Sequence, residues 1–313
     1  MERTIHLLGK AISMVDCDES HYLTNISETF ETDTLSTFAA ICQPHFNVLD
    51  IGANIGLTAI ALARFCSKGK VFAIEASPDT FQYLKDNIAR AGLKNLACEN
   101  MAASAVSGQL MLSYPRRFGC GAFISNKHPV VDSNYVHFPV RACSVDEYVK
   151  RISLHRVDFL KIDVEGFELE VLRGAKRTIE RCKPLIYCEV NHWCLNVFQR
   201  ICLPDFIEEV QAFCPHVFAI DTDLQYLDLS DPSSLTRFYR AHATKFQFLN
   251  LLCGFDKQAL LVKLESLESS CQRVAEYNAH RSMPEAYANS RGWRHAAPLR
   301  PLRALKRYLA SLA

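Results

Sequence analysis

The chain is predicted to fold as α/β, with a Rossmann-like, mostly parallel sheet, and three observations predict it. Short apolar runs alternate with stretches of helical periodicity, the order that builds parallel strands joined by crossover helices. A glycine turn stands where the first of those runs hands over to the first helical stretch. A later apolar run ends in closely spaced charges, as strands do at the carboxyl edge where open α/β sheets bind ligands.

The elements follow in order. Residues 1–45 are expected to form an N-terminal cap. Phe46–Ile51 is a strongly apolar run after Pro44 and reads as a buried strand ending at Gly52. Leu57–Cys66 has a helical pattern, and Val71–Glu75 reads as the second strand. Ser77-Pro78-Asp79 is a helix start, with a Ser cap and Pro in the first turn. That helix is expected to stop at Gly92, before a weaker strand at Leu96–Ala102. Residues 108–142 break the alternation. Gln109–Tyr114 and Val136–Ala142 alternate around a loop of Gly, Asn, Pro and Ser, which reads as a β-hairpin insertion able to cover a pocket.

The pattern resumes at Val157–Ile162, a central strand, followed by a helix over Gly166–Cys182. A strand from Pro184 to Glu189, a helix over Phe206–Phe213, a strand at Val217–Ile220 and, after a polar, turn-rich stretch, a late strand at Phe246–Leu252 complete the series. From 256 to 313 the chain reads as a helical extension with a basic tail after Cys271, carrying Arg273, Arg281, Arg291, Arg294, Arg300, Arg303, Lys306 and Arg307 against only Glu276 and Glu285. Such a tail is solvated, or contacts a partner or an anionic membrane surface. Residues 46–255 form the main domain on this reading.

Composition narrows the function classes. A net charge of +1 gives no polyanion-binding character, so nucleic acid is not the expected partner. Thirteen cysteines at irregular spacing, with no secretory signal in Met1–Lys10, point to reduced thiols and a cytoplasmic protein. No apolar run is long enough to span a bilayer.

The densest motif is Val48-Leu-Asp50-Ile-Gly52-Ala53-Asn54-Ile-Gly56. Glycines let the backbone turn tightly and approach a ligand. A dinucleotide fingerprint would carry a middle glycine where Asn54 stands. The wider Gly52–Gly56 spacing suits a nucleoside with an amino-acid arm, and Asp50 just before the turn would attract that arm's ammonium. S-adenosylmethionine has such an ammonium and NAD does not. Glu75 closes the second strand at the distance expected of a ribose-binding acid. Ala76 and Ser77 complete its loop, and Asn100 is placed to read an adenine edge.

The second motif is Asp158-Phe-Leu-Lys161-Ile-Asp163-Val-Glu165-Gly166-Phe-Glu168. Lys161, Asp163 and Glu165 alternate with apolar residues and so share one side of a strand end. Charges on a central strand are costly unless they serve a site. Glu168 and Glu170 fall on the next helix, where solvation or the helix N-terminus accounts for them.

On VLDIGANIG at 48–56, Glu75 with Ser77-Pro78, DFLKIDVEGFELEVLRGA at 158–175 and Pro184–Glu189, the sequence resembles the FkbM family of methyltransferases. The resemblance covers roughly residues 45–255. It implies the class I methyltransferase fold, a seven-stranded sheet whose final strand is antiparallel. It also implies S-adenosylmethionine as donor and a hydroxyl of a sugar or secondary metabolite as acceptor. A small-molecule or glycan acceptor needs a nearby base, because an alcohol is a weak nucleophile at neutral pH. Asp163, Glu165, His192 and Lys161 are the catalytic candidates. No metal spacing is present, so none is expected. An NAD-dependent oxidoreductase and a non-catalytic binding module are the competing readings. The N/D-P-P-Y/F motif of base amino-group methylation is missing.

Overall fold

A computed structural model describes residues 1–17, 23, 31–115, 121–125 and 133–279. The chain opens on an antiparallel hairpin of β1 (Glu2–Leu7) and β2 (Lys10–Val15). Leu8 and Gly9 take φ of 50° and 71°, the paired left-handed conformations that match a tight turn to strand twist. Ile5, Leu7, Ile12 and Met14 face inward and are buried. Helix α1 (Thr32–Ile41) follows. The N-terminal region therefore has regular structure of its own and supplies core residues Leu35, Phe38 and Ile41.

Next come β3 (Val48–Ile51), α2 (Leu57–Phe65), β4 (Val71–Glu75), α3 (Pro78–Ala91) and β5 (Leu96–Asn100). The Ser77 hydroxyl accepts the Thr80 N–H at 3.3 Å and caps α3. Gly92 ends that helix at φ 63°. Asn87 on α3 is fully buried. Its carboxamide accepts the Val15 N–H at 2.7 Å and donates to the carbonyls of Val15 and Ile55, both at 2.9 Å.

The insertion comprises β6 (Ala102–Ala103), β7 (Gly108–Pro115), β8 (Phe123–Ile124) and β9 (Tyr135–Cys143). They form a separate sheet in the order β6-β9-β7-β8. Its β7–β9 hairpin runs from Gly108 opposite Ala142 to Pro115 opposite Tyr135. Much of the loop read as a pocket cover, residues 116–120 and 126–132, lies outside the described residues.

Beyond it lie α4 (Val145–Arg151), β10 (Phe159–Ile162), α5 (Glu168–Gly174), α6 (Lys176–Cys182) and β11 (Leu185–Glu189). A short helix, α7 (His192–Cys194), runs into a π turn at Leu195–Gln199. Then follow α8 (Leu203–Phe213), β12 (His216–Ile220), β13 (Tyr226–Asp228), α9 (Pro232–Lys245) and β14 (Asn250–Gly254). The chain closes with α10 (Lys257–Glu265) and α11 (Leu267–Ala279).

Four expectations are corrected. The helix over 166–182 breaks at Ala175 into α5 and α6. The polar stretch before the last strand contains α9, started by Asp231, whose carboxylate accepts the Ser234 N–H at 2.8 Å. The last strand begins at Asn250 rather than Phe246, because Phe246 and Phe248 adopt left-handed φ of 52° and 57°. The central sheet has eight strands instead of seven, in the order β13-β12-β14-β11-β10-β3-β4-β5. Strand β13 extends it as an antiparallel hairpin partner of β12. The antiparallel β14 lies between β11 and β12, as the resemblance implied.

Parallel register aligns Asp50, Lys161 and Tyr187 across β3, β10 and β11. Their face of the sheet is covered by α1, α2, α10 and α11. Phe38 of α1 meets Phe159 and Tyr187 edge-on, with ring centroids 5.8 and 5.4 Å apart. The opposite face, with Leu49, Leu160 and Ile186, packs under α4 to α6, α8 and α9. The C-terminal helices are not a solvated appendage. Leu267 and Val274 of α11 are buried beside α1. The basic run from Arg281 onward lies outside the described residues. Among the described residues, no helix is long and apolar enough to cross a membrane. The described cysteines are free thiols.

Candidate active site

The two sequence motifs meet at the carboxyl edge of the sheet, at the ends of β3 and β10. Gly52, Asn54 and Gly56 adopt φ of 78°, 50° and 101°. Gly52 and Ala53 both donate their N–H to the carbonyl of Ile74, at 2.9 and 3.0 Å, and Gly56 donates to Ala53 at 2.9 Å. A Cβ on Gly52 would lie 1.7 Å from the Asp163 carbonyl oxygen. The missing side chain therefore lets β3 and β10 close on each other at this point.

Lys161 is buried beneath the turn. Its ammonium donates to the Gly52 carbonyl at 3.0 Å and stands 3.1 Å from Asp163 and 3.4 Å from Asp50. Burial disfavours its charge, but Asp163 and Asp50 outweigh that, and the ammonium is held above its usual range. Asp50 is fully buried, and its other oxygen accepts the Thr58 hydroxyl at 2.7 Å. The ammonium that Asp50 was expected to attract from a ligand is thus supplied by the chain itself. Lys161 acts here as a clamp between the two motifs, with no exposed face for catalysis.

Glu75 spans the turn and the next loop. One carboxylate oxygen accepts the Asn54 N–H at 3.0 Å and the other accepts the Ser77 N–H at 2.8 Å. Burial raises its carboxyl, against the pull of those two amides. Ser77 is the buried cap of α3, and Ala76 is half-buried. Asn100 donates its amide hydrogens to the carbonyls of Glu75 and Ala76, at 2.9 and 3.2 Å. It braces the Glu75 loop, which leaves only its carbonyl oxygen to face a base.

Past β10, Asp163 has its side chain 42% exposed. Burial opposes its charge, but Lys161 and a hydrogen bond from Glu189 prevail, so its carboxyl sits below the usual range. Glu189, at the end of β11, is driven far above that range by burial and by Asp163 and Glu165. Of the two hydrogen-bonded carboxyls, Glu189 is the one held toward its protonated form. Glu165 has a left-handed φ of 52°, and burial followed by the Asp163 charge pushes its carboxyl up to about 7. Glu168, expected to be solvated or to serve the N-terminus of its helix, is buried at that N-terminus; one oxygen accepts the N–H groups of Val164 and Gly166 at 3.2 and 3.1 Å. It props the loop that carries Asp163 and Glu165. Glu170 does lie outward, paired with Arg173.

His192 is placed differently. Its ring packs against His242 and Phe246, with centroids 5.0 and 4.5 Å apart, and burial lowers its pKa. Asp163 and Glu165 interact instead with Lys161, Glu189 and Cys194. Sequence reasoning passed over two groups here. Glu189 was read only as the end of a strand, although its place at the same sheet edge as Asp163 was legible. Cys194 had no sequence signal at all. Glu31, just before α1, also lies within charge range of Asp163 and Lys161. Among the described residues, no three His, Cys, Asp or Glu side chains are grouped to hold a metal.

A sheet of parallel strands with the antiparallel β14 inserted between β11 and β12, and a glycine turn after β3, defines the class I S-adenosylmethionine-dependent methyltransferase fold. Residues 50–222 match the family described as "Methyltransferase FkbM domain". The chain belongs to the FkbM methyltransferase family. It is 31% identical over 156 residues to "Methyltransferase sdnD" of Sordaria araneosa, a stretch covering 41% of this chain and 59% of that protein. It is also 31% identical over 142 residues to "Hexuronic acid methyltransferase AglP" of Haloferax volcanii, covering 42% and 50%. The chain thus spans little more than half the length of these relatives. Among solved structures, methyltransferase FkbM from Methylobacillus flagellatus KT matches with a TM-score of 0.45 and 16% identity, over 76% of this chain and 50% of that one.

Proposed function

We propose that the protein is an S-adenosylmethionine-dependent methyltransferase acting on a hydroxyl oxygen of a sugar or other small metabolite. The observation that carries this reading is the joint: a left-handed glycine turn, a carboxylate across it, and an acid-rich strand end clamped to it by Lys161. The residues present suit the donor. The bend offers backbone to a nucleoside, Glu75 keeps lone pairs for ribose hydroxyls, and a surplus of carboxylates faces a cationic ligand. When bound, the donor supplies a methyl carbon activated by its sulfonium charge.

The chain's own part is alignment and proton removal. An acceptor hydroxyl must lie in line with the methyl carbon, and fixing that geometry supplies much of the rate enhancement. Glu165, with its carboxyl raised to about 7, has the proton affinity a general base needs at neutral pH. Asp163, held ionised by Lys161, orients the acceptor or donor beside it. The name of the Haloferax relative, a hexuronic acid methyltransferase, agrees with a sugar acceptor.

Calorimetric titration with adenosylhomocysteine tests the donor half, and a protein that fails to bind it contradicts the proposal. Incubation of a hydroxylated-metabolite panel with isotopically labelled donor, read by mass spectrometry, tests the acceptor half. Label found on nitrogen or carbon alone would overturn the assignment to oxygen.

A further inference from the structure

Cys194 stands where the insertion, the β11 loop and the acid-rich strand end converge. Its thiol donates to the Glu165 carboxylate, with Sγ 3.4 Å from Oε2. Its main chain is pinned on two sides. The Cys194 N–H donates to the Asn191 side chain at 3.3 Å, and a Cβ on Gly166 would lie 2.9 Å from the Cys194 carbonyl carbon. Gly166 follows Glu165 directly, so the two backbones touch where the carboxyl leaves its chain. Behind the thiol, Cys194 packs in one buried cluster with Phe123 of β8 and Phe198 of the π turn.

We infer that Cys194 is a positioning residue, whose thiol hydrogen bond fixes the Glu165 carboxyl in its proton-accepting pose and ties that pose to the aromatic packing of the insertion. The inference rests on Glu165 being the base. Three features of the geometry support it. Glu165 adopts a left-handed backbone that a side chain as long as glutamate takes at a cost, so something must hold it there. Burial drives the Cys194 thiol above its usual range, so it stays protonated and can only donate. The other charged groups facing Glu165 are Lys161 of β10, Asp163 just past it and Glu189 of β11; Asp163 is ionised and has no hydrogen to donate, and Glu189 gives its hydrogen to Asp163. Lys161 spends its hydrogens on Gly52 and Asp163. The thiol is the neighbouring donor aimed at this carboxyl.

The titration of Glu165 reads the bond directly. Protein carrying 13C in its glutamate carboxyls is titrated by NMR as wild type, Cys194→Ala and Cys194→Ser, with Glu165→Gln assigning the resonance. Loss of the donor in Cys194→Ala raises the midpoint by roughly half a pH unit, a weak donor's share of a charge-assisted bond. Cys194→Ser, a near-isosteric hydroxyl donor, restores the wild-type midpoint or lowers it. An identical midpoint in all three proteins overturns the inference. If Cys194→Ala fails to fold, the serine variant still decides, because a midpoint raised in Cys194→Ser also overturns it. Adenosylhomocysteine titration of the same samples separates this failure from that of the donor reading: wild-type protein that shows the thiol effect but binds no adenosylhomocysteine refutes the donor and leaves the bond standing.

Discussion

The ammonium of Lys161 is bonded to the carbonyl oxygen of Gly52, 109 positions earlier in the chain, at 3.0 Å. This contact joins the glycine turn to the acid-rich strand end and makes one site of two motifs. It also sets a stability requirement. The ion pair with Asp50 is buried on both sides, and removing one partner of a buried pair strands the other charge.

Lys161→Met should therefore cost about 3–5 kcal/mol of folding stability. Denaturant unfolding measures it. The double variant Lys161→Met with Asp50→Asn should recover part of the loss, because the fully buried Asp50 no longer carries an uncompensated charge, and only the half-exposed Asp163 is left unpaired. A single variant as stable as wild type would show that the pair is dispensable.

Two glycines with the same backbone sign should respond differently to alanine. Gly52 and Gly92 both have positive φ, but a Cβ on Gly52 meets the Asp163 carbonyl, whereas one on Gly92 meets nothing within 4 Å. Gly92→Ala should cost about 1–2 kcal/mol from handedness alone. Gly52→Ala should abolish folding or lower the melting temperature far more. Equal melting temperatures would mean that the close approach of β3 and β10 is not needed.

Glu75→Ala should weaken adenosylhomocysteine binding at least tenfold, since it removes the proposed ribose partner and frees the turn amide of Asn54 and the loop amide of Ser77. Calorimetry checks this, and unchanged affinity would remove Glu75 from the donor site.

The raised carboxyl of Glu165 predicts how stability depends on pH. The group takes up a proton in the folded state at a higher pH than in the unfolded one, so its contribution is full below about 4.5 and fades as pH rises through about 7. The denaturant midpoint should fall between those limits, and Glu165→Gln should flatten that fall. A variant with the wild-type slope would place the titration elsewhere. Asp163, held low, acts with the opposite sign and only in more acid solution.

Truncation separates the contribution of helix α11 from that of the basic tail. A chain ending at Cys271 loses Val274 from the core beside α1 and should melt several degrees lower. A chain ending at Ala279 keeps that residue and should melt like the full protein. A Cys271 truncation that matched the full chain would show that the burial of Val274 adds little.

Much of the fold was legible because strands β3, β4, β10 and β11 are short apolar runs buried on both faces, with little chemistry to confuse the pattern. Helix α3 announced itself through Ser77-Pro78 and Gly92. The misses have separate causes. The hairpin β1–β2 turns on Leu8, a residue that seldom adopts a left-handed φ, so no turn signal marked it. Helix α9 hid in a polar stretch because one face alone is buried, by Phe238 and His242. In the site, residue types and their strand-end placement were readable, but partners were not. That Asp50 spends its charge on Lys161, that Asn100 braces a loop, and that His192 packs on His242 depend on side-chain directions that a linear pattern does not contain.

The carboxamide of Asn87 holds Val15 of the amino-terminal hairpin and Ile55 of the glycine turn at once. Two distant stretches of backbone therefore hang from a single amide group, and loosening either one strains the other. A nucleoside that steadies the turn makes the hairpin harder to open without touching it. Amide hydrogen exchange at Val15 should then slow when adenosylhomocysteine is added, and severing the link with Asn87→Ala should erase that protection.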